Sequence, residues 1–353
     1  MQAPKLFYIF SLLLLFFGSC QNNTPPYAIR DFSKKLQPFL IKAVSHGIVD
    51  GDSAITYMAT DKELDHLSKS DQPILRALAL YEMLQRSSYN HFEVIMNHLD
   101  DTALVQVYQG EFGIEPMAVS DYLVEEGKWK TAADRLKTVE KLVTEHNYLR
   151  AAYYGLSRLK PQEKFYPYIK RMIEKDRPFV ETEYGLYALA EFKKPSDIPF
   201  IKNILLNNLV YLHERSFDLM KKFPDTAYMD VYEAYYPRKF QKAICIFNNQ
   251  EAAPSFIKSV AAYKNERSAA ILADLLEKKP LVYCNTNTEE LEANIKYAIW
   301  DNPCPAYSKL RKQVESYILD VKKHSTILPD IYDSSYFSNK PDPEPFSWYQ
   351  RDN

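Results

Sequence analysis

Hydrophobic positions recur along most of this chain at helical spacing. Phe32, Leu36, Phe39, Leu40 and Val44 fall on one helical face, and Ile74, Leu75, Leu78, Tyr81 and Leu84 on another. Asp71-Gln72-Pro73 opens the second of these, where proline is tolerated because a first-turn N–H has no helical partner anyway. Phe92, Ile95, Met96 and Leu99 mark a further helix. Behind a turn at Gly127, Trp129, Ala132, Ala133, Leu136, Val139 and Val143 form one more apolar face. The pattern predicts a succession of short helices joined by polar turns.

One stretch repeats itself. Leu156, Leu159, Pro167, Tyr168 and Ile169 answer to Leu189, Phe192, Pro199, Phe200 and Ile201, at an offset of 33 residues for the leucine pair and 32 for the prolines. A period of this size signals stacked repeats. Looser copies follow at 213–240 and at 253–280, where Ala269, Ala270, Leu272, Ala273 and Leu276 supply a packing face. Adding Ile74–Leu99 and Trp129–Ala152 gives about six helix pairs. No such pair buries its apolar face alone, so neighbours must stack into a curved rod with a concave face.

The two best copies resemble HEAT repeats, with an alanine-rich helix, a proline-containing turn at Ser196-Asp197-Ile198-Pro199, and a helix beginning near Pro-Phe-Ile or Pro-Tyr-Ile. Ala118–Thr144 is similar to half of a tetratricopeptide hairpin. Arg150 falls where an arginine is common in the HEAT family, while the second copy has Glu183; it reads as a repeat residue, not a site. The resemblance implies an all-α, right-handed solenoid of stacked antiparallel helix pairs over residues 27–324, with an extended tail at 325–353.

Composition sharpens this. The chain has 353 residues, 46% of them hydrophobic, so a large core is available. Only 8 are glycine, against roughly 25 for average usage. Phosphate loops and tight β turns draw on glycine's access to positive φ, so the shortage argues against nucleotide-binding α/β folds and hairpin-rich β folds. The net charge of −2 offers no basic excess to neutralise nucleic-acid phosphates.

The amino terminus is of another kind. Lys5 precedes an apolar run from Leu6 to Phe17, broken only by Ser11, and then come Gly18, Ser19 and Cys20. The run makes roughly 18 Å of helix, short of the roughly 30 Å hydrocarbon core of a bilayer. It reads as a signal-peptide core. The whole resembles a bacterial lipoprotein signal at residues 1–19, which implies lipidation of Cys20, a palmitate-type anchor and the membrane as partner. Phe17 stands where leucine is usual. Gln21 after the cysteine is not the aspartate of inner-membrane retention, so the resemblance implies the outer membrane, periplasmic or surface-exposed. Residues 20–26 form a polar, proline-bearing tether.

Candidate chemistry is sparse. Asp50-Gly51-Asp52 lacks the later ligands of a calcium loop. His91 and His98 are seven apart, where zinc ligands on one helix are usually four apart. Glu125-Glu126, Glu289-Glu290 and Asp100-Asp101 are adjacent and diverge. No nucleophile elbow, phosphate loop, dinucleotide fingerprint or zinc-protease motif occurs. Cys284 and Cys304 bracket one helix and can pair only if its flanking loops fold back, and Cys245 sits in an apolar run. The tail carries alternating prolines with Tyr336, Phe337, Phe346, Trp348 and Tyr349, a composition suited to an extended segment packed along the array.

The sequence therefore leads to a non-enzymatic, lipid-anchored envelope scaffold. It is expected to take a protein or peptide in a helical-repeat groove, with no cofactor, metal or nucleic acid. The alternatives are a glycan-binding lipoprotein using exposed aromatics and a hydrolase with a site assembled across repeats.

Overall fold

The structure, a computed structural model, describes residues 27–49, 58–109, 113–127, 129, 131–238, 252–278 and 288–324. It is predominantly helical with one small three-stranded sheet, and it divides into two units, residues 1–130 and 131–353.

The first unit is organised on a single helix. It contains α1 (Gln37–His46), β1 (Ile48–Val49), α2 (Asp61–Leu67), α3 (Pro73–Gln85), α4 (His91–Met96), β2 (Leu104–Tyr108), β3 (Ile114–Ala118) and α5 (Val119–Glu125). Helix α3 buries Leu75, Ala77, Leu78, Leu80 and Leu84 and packs against α1, α2, α4, α5 and the sheet. Arg76 fixes it to the segment before β2 through two hydrogen bonds to Asp101, at 2.7 and 2.8 Å. Helix α2 starts on a capping box. The Glu63 backbone N–H donates to the Thr60 hydroxyl, and Glu63 in turn accepts from the Thr60 backbone N–H.

The sheet is the addition to the all-helical expectation. Strand β2 lies between β1, which is parallel to it, and β3, which is antiparallel, with Tyr108 opposite Ile114 and Leu104 opposite Ala118. Val105, Val107 and Met117 face the core, while Leu104, Tyr108 and Ile114 face outward. A single hairpin needs little glycine. The Gln109 N–H donates to the Gly113 carbonyl at 2.7 Å, and Gly113 supplies the left-handed φ of +85°. The Val119 N–H donates to Ala103 on the β2 side. By alternation, positions 114, 116 and 118 then point to the outer edge. Pro116 has no N–H to offer there, which blocks that edge against a further strand.

The second unit alternates between two rows. The first row holds α7 (Arg150–Gly155), α9 (Phe179–Ala190), α11 (Glu214–Lys222), α13 (Ala252–Ala262) and α15 (Thr288–Asp301). The second holds α6 (Ala132–Thr144), α8 (Tyr166–Ile173), α10 (Ile198–Asn207), α12 (Met229–Tyr236), α14 (Glu266–Lys278) and α16 (Ser308–His324). Along the first row each helix packs on the next but one in sequence: α7 on α9, α9 on α11, α11 on α13, α13 on α15. The second row does the same at α6 and α8, α10 and α12, and α12 and α14. The beginnings of α8 and α10 are joined by the Tyr166 hydroxyl, which donates to Asp197 at 2.6 Å. Tyr307, just before α16, shares a 2.6 Å hydrogen bond with Ser268 at the start of α14.

Tyrosine builds much of this interior, and its hydroxyls find backbone partners. Tyr153 donates to the Met172 carbonyl at 3.0 Å, Tyr263 to Met220 at 2.9 Å, and Tyr307 to Ala261 at 3.0 Å. Phe217 sits at the centre of a ring cluster with Tyr232, Tyr235 and Phe256, at centroid distances of 5.0–6.3 Å. Such rings contribute large apolar area while each phenol keeps one satisfied polar end.

The two matching copies are α7–α8 and α9–α10. Their second helices agree closely, since Pro167 and Pro199 both stand in the first turn and follow a buried residue, Phe165 or Asp197. Their first helices agree at both ends but at different offsets. Leu159 N–H donates to Leu156 as Phe192 N–H does to Leu189, which supports the offset of 33. Upstream, Tyr154-Gly155-Leu156 matches Tyr184-Gly185-Leu186 at an offset of 30. Both glycines sit where a side chain would collide with the preceding second-row helix. A Cβ on Gly155 would lie 3.0 Å from Val139 Cγ1, and one on Gly185 2.6 Å from Ile173 Cγ1. Helix α9 therefore carries one additional turn after its glycine.

Candidate functional site

In the second unit, α6 and α8 enclose an open groove of about 370 Å³, within the size range of ligand clefts. Its walls are charged. Lys137, Glu140, Lys141, Thr144 and Glu145 come from one helix, and Lys164 and Tyr168 from the other side, with Phe165 beneath. Lys164 Nζ lies 3.4 Å from each Glu140 oxygen and 4.5 Å from the centre of the Phe165 ring. Lys141 pairs with Glu145 at 3.3 Å. Thr131 caps α6 by accepting from the Asp134 N–H, and the stripe of Val139, Leu142 and Val143 buries the opposite face. That packing turns the lysines and glutamates into the groove. These ion pairs are weakly held at the surface, so an incoming charged chain can exchange partners with them at little cost.

The second-row ion pairs continue beyond the groove. Lys194 pairs with Glu163 at 2.8 Å and lies 3.6 Å from the Tyr166 ring centre. Lys170 reaches the buried Asp197 at 3.4 Å. Lys202 and Arg267 converge on Asp230 at 2.9 and 2.7 Å, and Arg267 also holds Glu233 at 2.6 Å. The hydrogen bonds from Lys202 and Arg267 hold the Asp230 carboxyl below its ordinary value, and Arg267 does the same for Glu233.

The first row offers a different set. Arg150 Nε donates to the Tyr154 hydroxyl at 2.6 Å, Tyr154 meets Tyr184 edge to face, and the Arg215 guanidinium lies 3.6 Å from the Tyr184 ring centre. Glu183 is fully buried, accepts from the Ser216 hydroxyl, and has His213 Nδ1 3.1 Å from its second oxygen. In the sequence Glu183 is legible as a repeat position only; no spacing there joins it to His213 and Ser216, 30 or more residues away.

Cys20, the residue assigned to lipidation, lies outside the described residues, as do Cys245, Cys284, Asp50 and Asp52. Cys304 is a free, half-buried thiol. His91 and His98 each bond to a backbone carbonyl of their own neighbourhood, Arg86 at 3.0 Å and Val94 at 2.7 Å. Among the described residues no group of three His, Cys, Asp or Glu is placed to hold a metal ion, and no helix is long and apolar enough to cross a membrane. Arg150 is engaged by Tyr154.

Comparison of the chain with protein-family models, with curated proteins and with solved structures finds no match. The structure itself defines the class: a mainly helical protein whose second unit packs its helices in two rows.

Proposed function

We propose that this chain is a lipid-anchored scaffold of the bacterial cell envelope, and that its second unit is a right-handed, HEAT-like α-solenoid that binds a polypeptide. The observation that carries the solenoid reading is the packing of every first-row helix on the next but one in sequence, repeated at three places along the second row. Quasi-one-dimensional stacking of this kind presents long side-by-side helix surfaces to a partner. The charged lining of the α6–α8 groove supports a polypeptide over a glycan, since sugar faces stack on open aromatic rings and here Phe165 is buried and Tyr168 half-buried. The anchor rests on the order of Lys5, the apolar run and Cys20.

Two experiments test the parts separately. A photo-reactive amino acid at Tyr168, introduced in the intact cell envelope, is expected to capture a defined polypeptide, and the double charge reversal Lys141→Glu with Lys164→Glu should reduce that capture. Capture of glycan, or of nothing above a surface control, would overturn the binding role. Cys20→Ala should shift the protein from the membrane to the soluble fraction; unchanged membrane partition would remove the anchor.

A further inference from the structure

In the second unit, the connections from second-row to first-row helices gather at one edge. The Arg177 guanidinium donates to the Tyr148 carbonyl, Lys175 to the Asn147 carbonyl at 3.2 Å, and the Phe179 and His213 rings lie 6.5 Å apart, so three successive connections touch. Among the described residues, this edge collects four of the unit's six large exposed apolar residues, Tyr148 at 38% exposure, Val180 at 42%, Val210 at 52% and Tyr211 at 64%; the other two, Leu136 and Leu319, lie within α6 and α16. The opposite edge carries the tight polar turns at Pro195–Asp197, Thr226–Tyr228 and Pro305–Tyr307.

Helix α16 starts at that opposite edge, where Tyr307 bonds to Ser268 and to the Ala261 carbonyl at the end of α13. It belongs to the second row, so its last residue, His324, emerges at the apolar edge. The chain continues for 29 residues beyond it, with Tyr332, Tyr336, Phe337, Phe346, Trp348 and Tyr349. Stacked helices are separated by roughly 10 Å. Three such steps bring α16 to the level of Tyr211, roughly 30 Å away, and five to Tyr148, roughly 50 Å away. An extended chain covers about 3.3 Å per residue, so Tyr336 can reach the first and Trp348 the second. The tail holds five acidic residues against two basic ones, and Lys175 and Arg177 border the strip; Glu174 and Asp176 in the same connection offset part of their charge.

We infer that residues 332–349 of this chain dock along the apolar edge formed by Tyr148, Val180, Val210 and Tyr211. The tail's aromatic rings cover the strip, and its prolines keep it extended with few backbone donors to satisfy. This assigns the surface an occupant from the same chain, and it stands apart from the polypeptide partner of the α6–α8 groove.

The test uses the full-length protein with a photo-reactive residue in place of Tyr211, and a second chain with it in place of Tyr148. The expected result is an adduct within one chain, joining position 211 to 332–337 and position 148 to 346–349. Phe346→Ser, Trp348→Ser and Tyr349→Ser together should reduce the second adduct about tenfold while leaving the melting of the helical unit unchanged, because the rings lie outside the helices. Adducts to a second copy, to 239–251 or 279–287, or no adduct above a control probe at Glu233 would overturn the assignment. Deleting residues 325–353 adds an independent reading: backbone amides at 208–213 should exchange faster with deuterium, and unchanged exchange counts against docking.

Discussion

The two helix rows of the second unit are held together by different forces. The first-row helices α7, α9 and α13 are buried on most of their surface, while α11 keeps Lys221 and Lys222 exposed. Helix α9 encloses Thr182, Glu183, Tyr184, Gly185 and Leu186 in succession, and α13 encloses Phe256, Ile257, Ser259 and Val260. Second-row helices are two-faced, with an apolar stripe such as Ile169, Met172 and Ile173 below and ion pairs above. Apolar burial contributes about 25 cal/mol per Å², whereas an exposed ion pair contributes between nothing and about 1 kcal/mol. The first row therefore sets the stability of the array, and the second row sets the chemistry of its surface.

The sharpest way to break this contrast is in the ring cluster. Phe217→Ala should cost about 3–5 kcal/mol, because it empties a fully buried site between Tyr232, Tyr235 and Phe256. Chemical denaturation reads the loss; a cost below about 1 kcal/mol would place the core elsewhere.

Alkaline pH acts on the same interior. Burial pushes Tyr307 up to about 12 and raises Tyr153, Tyr232 and Tyr263 above the ordinary value of 10.0. A group raised on folding contributes stability that is complete below the unfolded value and is lost as pH rises through the folded one. Stability should be level up to about pH 10 and fall toward pH 12, with Tyr307 alone responsible for on the order of 2 kcal/mol. Denaturation midpoints between pH 8 and 12 measure this, and Tyr307→Phe should flatten part of the slope.

The contact between the rows can be probed by volume. Gly185→Ala places a methyl 2.6 Å from Ile173, and overpacking of this kind costs about 1–3 kcal/mol, less up to about 1 regained by replacing a helical glycine. Gly155→Ala meets Val139 at 3.0 Å and should cost less. Thermal melts of the two variants order them, and equal effects would contradict the closer approach at Gly185.

The smallest effect belongs to the second-row surface. Arg267→Ala should cost under about 1 kcal/mol and less still in high salt. The lowered Asp230 and Glu233 values give the sign with pH: their contribution is present above the ordinary 3.8 and 4.5 and disappears as pH falls through the lower folded values. A loss in Arg267→Ala that ignores both salt and acid would mean packing, not charge.

Much of the helical plan was legible in the sequence, because 3.6-residue periodicity survives in short segments. The stripe Ile74–Leu84 is buried apart from the half-buried Tyr81, and Pro73, Pro167 and Pro199 open helices; of the face expected from Trp129 to Val143 only Val139 and Val143 are buried, while Ala132, Ala133 and Leu136 are exposed on the first turns of α6. The sheet was not legible. Leu104-Val105-Gln106-Val107-Tyr108 alternates for only five residues, and two of its three outward positions, Leu104 and Tyr108, are apolar, which hides the strand pattern. Of the candidate surfaces, the turn at Ser196–Pro199 was visible, but the groove was not. Lys141 and Lys164 look like any solvated helix residues until α6 and α8 stand side by side. The Glu183, His213 and Ser216 contact was equally hidden, since it joins neighbouring repeats.

The extra turn in α9 bears on how such a chain changes its length over generations. Three added residues of helix rotate the succeeding turn by roughly 300° and advance it by about 4.5 Å, so the added piece nearly restores the original facing. The next connection then shortens by one, from eight positions between Leu159 and Pro167 to seven between Phe192 and Pro199. Of the three residues gained in the first helix the adjoining turn gives back one, so the offset runs from 30 to 33 and then to 32 within one copy. The stacking of α7 on α9 tolerates this change of length, and alignment by a fixed period loses the register within a single copy.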